Sequence, residues 1–139
     1  MIYIASDHAG FKLKEKLIKK FDMKNLSPDY IKGDDYPDYV KELSKKVLKT
    51  RGKGILICGT GIGMSIAANK VPGIRAALCF NALSAKHSRE SNDANVLVLS
   101  GWMTKEKDAE KIVKVWLKTK FGGKKRNIRR INKIKKIEK

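Results

Sequence analysis

Four short apolar runs, Ile2–Ser6 (IYIAS), Gly54–Cys58 (GILIC), Ala76–Phe80 (AALCF) and Val96–Ser100 (VLVLS), constrain this chain more than any other feature. None shows the apolar–polar alternation of a half-solvated strand, so each reads as a strand buried on both faces. The stretches between them have helical spacing. Leu13, Leu17, Ile18 and Phe21 mark one helix within Gly10–Asp22; Tyr36, Val40, Leu43 and Val47 mark another over Pro37–Thr50, with Pro37 suited to its first turn. A small-residue helix runs through Asn69, a further one covers Ala82–Ser91, and Lys105–Phe121 carries the buried stripe Ala109, Ile112, Val113, Trp116 and Leu117. The turn-rich segment Met23–Asp38 leaves room for a small edge strand near Met23–Leu26. Strands alternating with helices require a mostly parallel sheet covered on both faces. Crossover handedness then predicts a five-stranded, Rossmann-like α/β/α sandwich.

A length of 139 residues fits one domain, with a body over 1–121 and a basic helical tail over 122–139 belonging to the same domain. The apolar fraction of 42% against 33% charged excludes a disordered or collagen-like chain. No apolar run approaches the ~20 residues needed to span a bilayer, which argues against a membrane partner. The first residues, MIYIASDHAG, do not read as a signal peptide. Two cysteines make no disulfide scaffold, so reduced thiols and a cytoplasmic location are expected.

The net charge of +18 raises nucleic acid as a partner. From Lys118 to Lys139, however, eleven Lys or Arg face Glu138 alone, so this segment carries +10 of the total. Aromatic residues are few and not interleaved with the basic tail, and no nucleic-acid motif is present, so that partner is disfavoured. In the tail, Ile128, Ile131, Ile134 and Ile137 recur every third residue. On a helix this spreads the apolar stripe over nearly half the circumference, which predicts packing against the body or a second subunit.

Ligands in open parallel sheets bind beyond the carboxyl ends of the strands. Three polar clusters are expected to gather there: Asp7-His8, Cys58 with Gly59-Thr60-Gly61-Ile62-Gly63, and Ser91-Asn92-Asp93. The glycine loop leads into a helix whose free N–H groups can face an anion. It is neither a Walker A loop nor G-x-G-x-x-G, since Met64 and Ile66 stand where the last glycine would be. Its readings are a small-anion cradle or a tight strand-to-helix turn. Cys58, ahead of that helix, is either a base or nucleophile with a lowered pKa, or a small buried hydrophobe. Cys79, inside AALCF, fits the second role. His8 is a ligand-binding or a capping residue, and His87, within a helix, a surface or packing residue.

The segments SDHAGFKLKEKL (6–17), DYPDY (35–39), GILICGTGIGMSIAANKVPGIRAAL (54–78) and SRESNDANVLVLSG (88–101) resemble ribose-5-phosphate isomerase B and its family, which includes the galactose-6-phosphate isomerase subunits. The resemblance covers nearly all of the body and implies an aldose–ketose isomerase working through an enediolate, with no metal and no cofactor. It implies Cys58 as the base, Thr60, Gly59, Gly61 and Gly63 as the anion hole, Asp7 and His8 as sugar-binding residues, and Asn92 as a ligand of the enediolate oxygens. It also implies a homodimer or tetramer with shared active sites, the C-terminal helix being exchanged with a partner subunit. Galactose 6-phosphate and allose 6-phosphate are alternative substrates, and a basic nucleic-acid-binding protein on a degenerate isomerase fold is the alternative class.

Three departures from the family pattern stand out. Ser91 replaces the histidine that family members use to open the furanose ring, and serine has no near-neutral pKa. The expectation is that His8 takes over this step, with His87 as a second candidate. After Gly122-Gly123, Lys124-Lys125 reads as an insertion before the phosphate clamp, which places the clamp on Arg126 and Arg130, four residues apart on one helix face. Alternative registers use Lys124 or Arg129. A family arginine after the last strand is replaced around Trp102.

Overall fold

The computed structural model describes residues 1–138 and stacks them in three layers. Strands β1 (Ile2–Ser6), β2 (Lys24–Asn25), β3 (Lys53–Cys58), β4 (Ala76–Leu78) and β5 (Val96–Ser100) form one sheet in the order β2-β1-β3-β5-β4. Every pairing is parallel, so the sheet is wholly rather than mostly parallel. Helices α1 (Phe11–Ile18), α2 (Pro37–Thr50), α3 (Ile62–Ala68), α4 (Ala82–Glu90) and α5 (Glu106–Lys118) provide the crossovers and cover the sheet.

Because successive strand residues point to opposite faces, the apolar runs supply two cores. Ile4, Ile55, Ile57, Leu97 and Leu99 pack with Leu13 and Leu17 of α1, Ala85 of α4, and Ile112, Val113 and Trp116 of α5. Tyr3, Ala5, Leu56, Cys58, Val96 and Val98 pack with Val40, Leu43 and Val47 of α2 and Met64 and Ala68 of α3. Each of these larger side chains contributes about 1.5–3 kcal/mol on burial, which explains why the strands carry no polar alternation.

The chain leaves β1 through α1 toward β2 on one side, then returns through α2 to β3 on the other. The winding therefore reverses between β1 and β3, and a crevice opens at their carboxyl ends. That is where Asp7 and the glycine loop emerge.

The last helix, α6 (Lys125–Ile137), buries only Asn127 and Ile131 against its own body. Ile128 and Ile134 remain 43% and 40% exposed, and Ile137 81%. Its C-terminal end is held by Glu138, whose Oε2 accepts the Gly73 N–H at 2.7 Å. A cleft of about 640 Å³ separates this end from Asn69, Pro72, Arg75 and Asn92.

Candidate active site

β1 and β3 deliver two neighbouring polar groups to the crevice, since Ser6 and Ile57 are in register. Asp7 caps the following 3-10 turn, its Oδ1 accepting the Gly10 N–H at 3.0 Å. Burial pushes its carboxyl above the usual carboxylate range, against the pull of Gly10 N–H and His8. His8 is half-buried, and its Nδ1 lies 2.8 Å from Asp34 Oδ1. That hydrogen bond is the main reason its pKa is raised.

Cys58 ends β3 and is 5% exposed. Burial raises its thiol pKa, while the nearby backbone N–H groups of Met64, Gly61 and Thr60 pull it back. The expected lowering by the helix start is therefore real in direction but outweighed by desolvation in the free chain. Gly61 opens α3 at φ +82°, a left-handed conformation that side chains disfavour. Thr60 Oγ1 accepts the Ile62 N–H at 3.2 Å, tightening the turn.

The loop after β5 straps this turn in place. Gly101 N–H donates to Cys58 O at 2.8 Å, Trp102 N–H to Gly59 O at 2.9 Å, and Ser100 Oγ to the same Gly59 O at 2.7 Å. The Trp102 ring lies against Gly59, where an added Cβ would come within 2.8 Å of it.

The expected gathering of all three polar clusters on one edge is not what the parallel register produces. Ser91-Asn92-Asp93 precedes β5, and a segment preceding a parallel strand sits at the amino edge. Asn95 accepts the Gly54 N–H at the start of β3 and donates its own N–H to Arg75 O just before β4. Cys58 pairs with Ser100 at the other end. At ~3.3 Å per residue, the length of β5 alone puts roughly 13 Å between the two edges. Arg126 and Arg130 belong with Asn92, because Gly122 N–H donates to Glu90 O beside Ser91 and α6 starts from there. Both arginines are exposed. The candidate residues of one chain thus fall on two edges: Asp7, His8, Cys58, Gly59, Thr60, Gly61 and Gly63 at the carboxyl edge, and Asn92, Arg126 and Arg130 at the amino edge.

Four residues that pattern reading passed over organise these two edges. Asp34 and Tyr39 hold His8, and the acidic run around DYPDY was their only sequence signal. Arg75 and Arg89 fix the 91–93 turn: Arg89 bonds the Asp93 carboxylate and the Ala94 and Thr119 carbonyls, and Arg75 bonds the Asn92 and Asp93 carbonyls. Asp93 itself adopts φ +47°. His87 is exposed on α4, as a surface residue, and Cys79 is buried. Asp7, His8 and Asp34 place ligand atoms within 4.8 Å of one another, but these atoms already satisfy each other and the Gly10 N–H. Among the described residues no helix is long and apolar enough to cross a membrane.

Residues 2–134 match the family model described as Ribose/Galactose Isomerase. A probable ribose-5-phosphate isomerase B of Mycoplasma genitalium is 44% identical over 99% of this chain and 95% of its own. The type B ribose 5-phosphate isomerase structure of Trypanosoma brucei superposes with a TM-score of 0.94 at 40% identity, covering 99% of this chain and 97% of that one. The Mycoplasma genitalium isomerase solved with bound ribulose-5-phosphate gives a TM-score of 0.88 at 41% identity, covering 99% and 95%. Shared sequence along the whole length, a shared three-layer fold and a polar crevice at the switch point make this chain a member of the ribose/galactose isomerase family.

Proposed function

We propose that the chain interconverts ribose 5-phosphate and ribulose 5-phosphate through an enediolate, with Cys58 as general base. The observation that carries this reading is the position of Cys58: at the switch point, where β3 ends and the glycine turn opens α3, one strand away from Asp7 and His8. The relative solved with ribulose-5-phosphate supports the substrate.

In the open-chain aldose, the Cys58 thiolate removes the C2 proton as the electron pair moves toward O1. The developing negative charge falls on the turn formed by Gly59, Thr60, Gly61 and Gly63. One such preorganised donor is worth about 3–4 kcal/mol in the transition state. The thiol returns the proton to C1, and proton exchange between O1 and O2 completes the ketose. Asp7 and His8 bind the sugar hydroxyls, and His8 opens the furanose ring, since Ser91 offers no group that titrates near neutrality. No metal or cofactor takes part.

Asn92 and the Arg126–Arg130 clamp reach this turn only from another copy of the chain, because within one chain they occupy the opposite edge. A homodimer, or a tetramer of such dimers, with the C-terminal helices exchanged, unites the halves. The exposed isoleucines of α6 supply apolar surface for that contact.

The test is a coupled assay with ribose 5-phosphate on the wild type and on Cys58→Ala. No turnover by the wild type overturns the reading, and equal turnover by both removes only the base assignment. Because the matched family covers ribose and galactose substrates, allose 6-phosphate and galactose 6-phosphate belong in the same assay. Retention of nucleic acid that collapses between low and moderate salt, without isomerase activity, would favour the basic-tail alternative.

A further inference from the structure

His8 is held by a carboxylate from 26 residues further along the chain. Asp34 Oδ1 accepts the His8 backbone N–H at 2.8 Å and lies 2.8 Å from His8 Nδ1. The second oxygen of the same carboxylate, Oδ2, accepts the Tyr39 O–H at 2.5 Å. Main chain and ring are thus fixed by one group. Asp34 is nearly enclosed, its side chain 10% exposed, while the His8 side chain keeps 37% of its surface open. With Nδ1–H committed to Asp34, the proton available to a ligand is the one on Nε2. A carboxylate behind an imidazole fixes tautomer and ring orientation and stabilises the imidazolium.

We infer that Asp34 is the positioning residue for sugar-ring opening, acting through His8, with the Tyr39 hydroxyl tuning its strength. The inference rests on the isomerase reading and deepens it. His8 as imidazolium gives its Nε2 proton to the ring oxygen O4 while the C1–O4 bond breaks. The C1 hydroxyl loses its proton to water, and that O–H electron pair closes the C1=O1 double bond. The neutral imidazole retakes a proton from solvent. The sugar is neither oxidised nor reduced.

The groups facing His8 are Asp34 and Asp7, with Tyr39 behind Asp34. The Asp34 hydrogen bond raises the His8 pKa most, and Asp7 adds to it. Asp34 in turn is raised by burial, but the Tyr39 O–H and the two His8 contacts outweigh this and hold it below the usual range. Two replacements then act in opposite directions. Asp34→Asn removes the charge and lowers the His8 midpoint. Tyr39→Phe frees one carboxylate oxygen, makes Asp34 a stronger acceptor and raises the midpoint.

The experiment separates ring opening from isomerisation by working in Cys58→Ala protein of full length. Exchange between the α and β furanose anomers of ribose 5-phosphate labelled with carbon-13 at C1 is followed by exchange NMR across pH. The Cys58→Ala protein should accelerate exchange on a plateau that ends as His8 loses its proton. Adding Asp34→Asn should slow exchange at least ~10-fold and move the end of the plateau to lower pH. Adding Tyr39→Phe should move it to higher pH. Unchanged exchange in the Asp34→Asn protein, a loss of amplitude with no shift of the midpoint, or no acceleration by Cys58→Ala protein would each overturn the inference. Failure of the isomerase reading shows elsewhere, as absent turnover in the coupled assay of the wild type.

Discussion

Cys58 and Asn92 sit at opposite ends of the same pair of strands: Cys58 is in register with Ser100 at the carboxyl end of β5, and Asn92 lies four residues before its amino end. A reaction that needs both therefore needs two chains. Mixing inactive Cys58→Ala protein with inactive Arg126→Ala/Arg130→Ala protein, under conditions that exchange subunits, should restore activity. Random pairing puts half of the dimers in the mixed state with one intact site each, so about a quarter of wild-type activity is expected. Activity that stays at zero after demonstrated exchange would place the arginines and the cysteine in the same chain's site.

With Cys58 as the proposed base, the buried thiol would set the pH dependence of the proton-transfer step. Desolvation raises the Cys58 pKa, so at neutral pH most free enzyme carries the thiol rather than the thiolate. With ribulose 5-phosphate, an open-chain substrate that needs no ring opening, turnover should rise with pH through the neutral range, and Cys58→Ala should lose about 10²–10⁴ in kcat. Iodoacetamide should alkylate Cys58 more slowly than an exposed thiol, since the sulfur is both covered and protonated. A rate profile flat from slightly acid to alkaline pH, or rapid alkylation at neutral pH, would show that Cys58 does not act as a buried base.

What the residues disclosed and what they withheld divide along a physical line. The strands Ile2–Ser6 and Val96–Ser100 and the helix Pro37–Thr50 follow from periodicity alone, because a fully covered parallel sheet demands unbroken apolar runs. The glycine turn after Cys58 was equally plain, since few sequences place a thiol and three glycines at a strand end. The position of Asn92 is not legible from its closeness to a strand, because in a parallel sheet the residues before a strand lie at the edge opposite those after it. Asp34 and Tyr39 are hidden for another reason. Their bond to His8 spans a turn-rich segment without periodicity, and only the folded chain brings it across β1.

Lys14 is wholly buried on α1, with its ammonium donating to Ser27 O at 2.5 Å and Asn25 Oδ1 at 3.1 Å. It ties the β2 edge to α1, and burial lowers its pKa. Lys14→Met fills the stem's volume but leaves the Ser27 carbonyl and the Asn25 amide oxygen without this donor. The expected cost is about 2–4 kcal/mol in denaturant unfolding, with the slope unchanged. A loss below about 0.5 kcal/mol would mean that water replaces the ammonium without penalty.

Trp102 and Gly59 offer a contact that can be tested by adding a single methyl group. Gly59 does not occupy the left-handed region, so alanine there carries no left-handed strain, and the nearest atoms to its added methyl are those of the indole, at 2.8 Å. Trp102 is 71% exposed and its indole can swing away, so Gly59→Ala should leave global stability nearly unchanged. The strap that Trp102 N–H and Ser100 Oγ make to Gly59 O, however, sits directly on the turn under Cys58. Displacing the ring should loosen that turn and lower kcat/KM about tenfold, or roughly 1.4 kcal/mol. Trp102→Ala clears the space, so in the double variant the alanine at position 59 should cost much less than it does alone. Emission offers a second readout: Trp116 is fully buried, so the iodide-quenchable fluorescence belongs to Trp102 and should become more quenchable in Gly59→Ala. Strictly additive losses in the double variant would show that Gly59 acts on the turn by a route other than the indole.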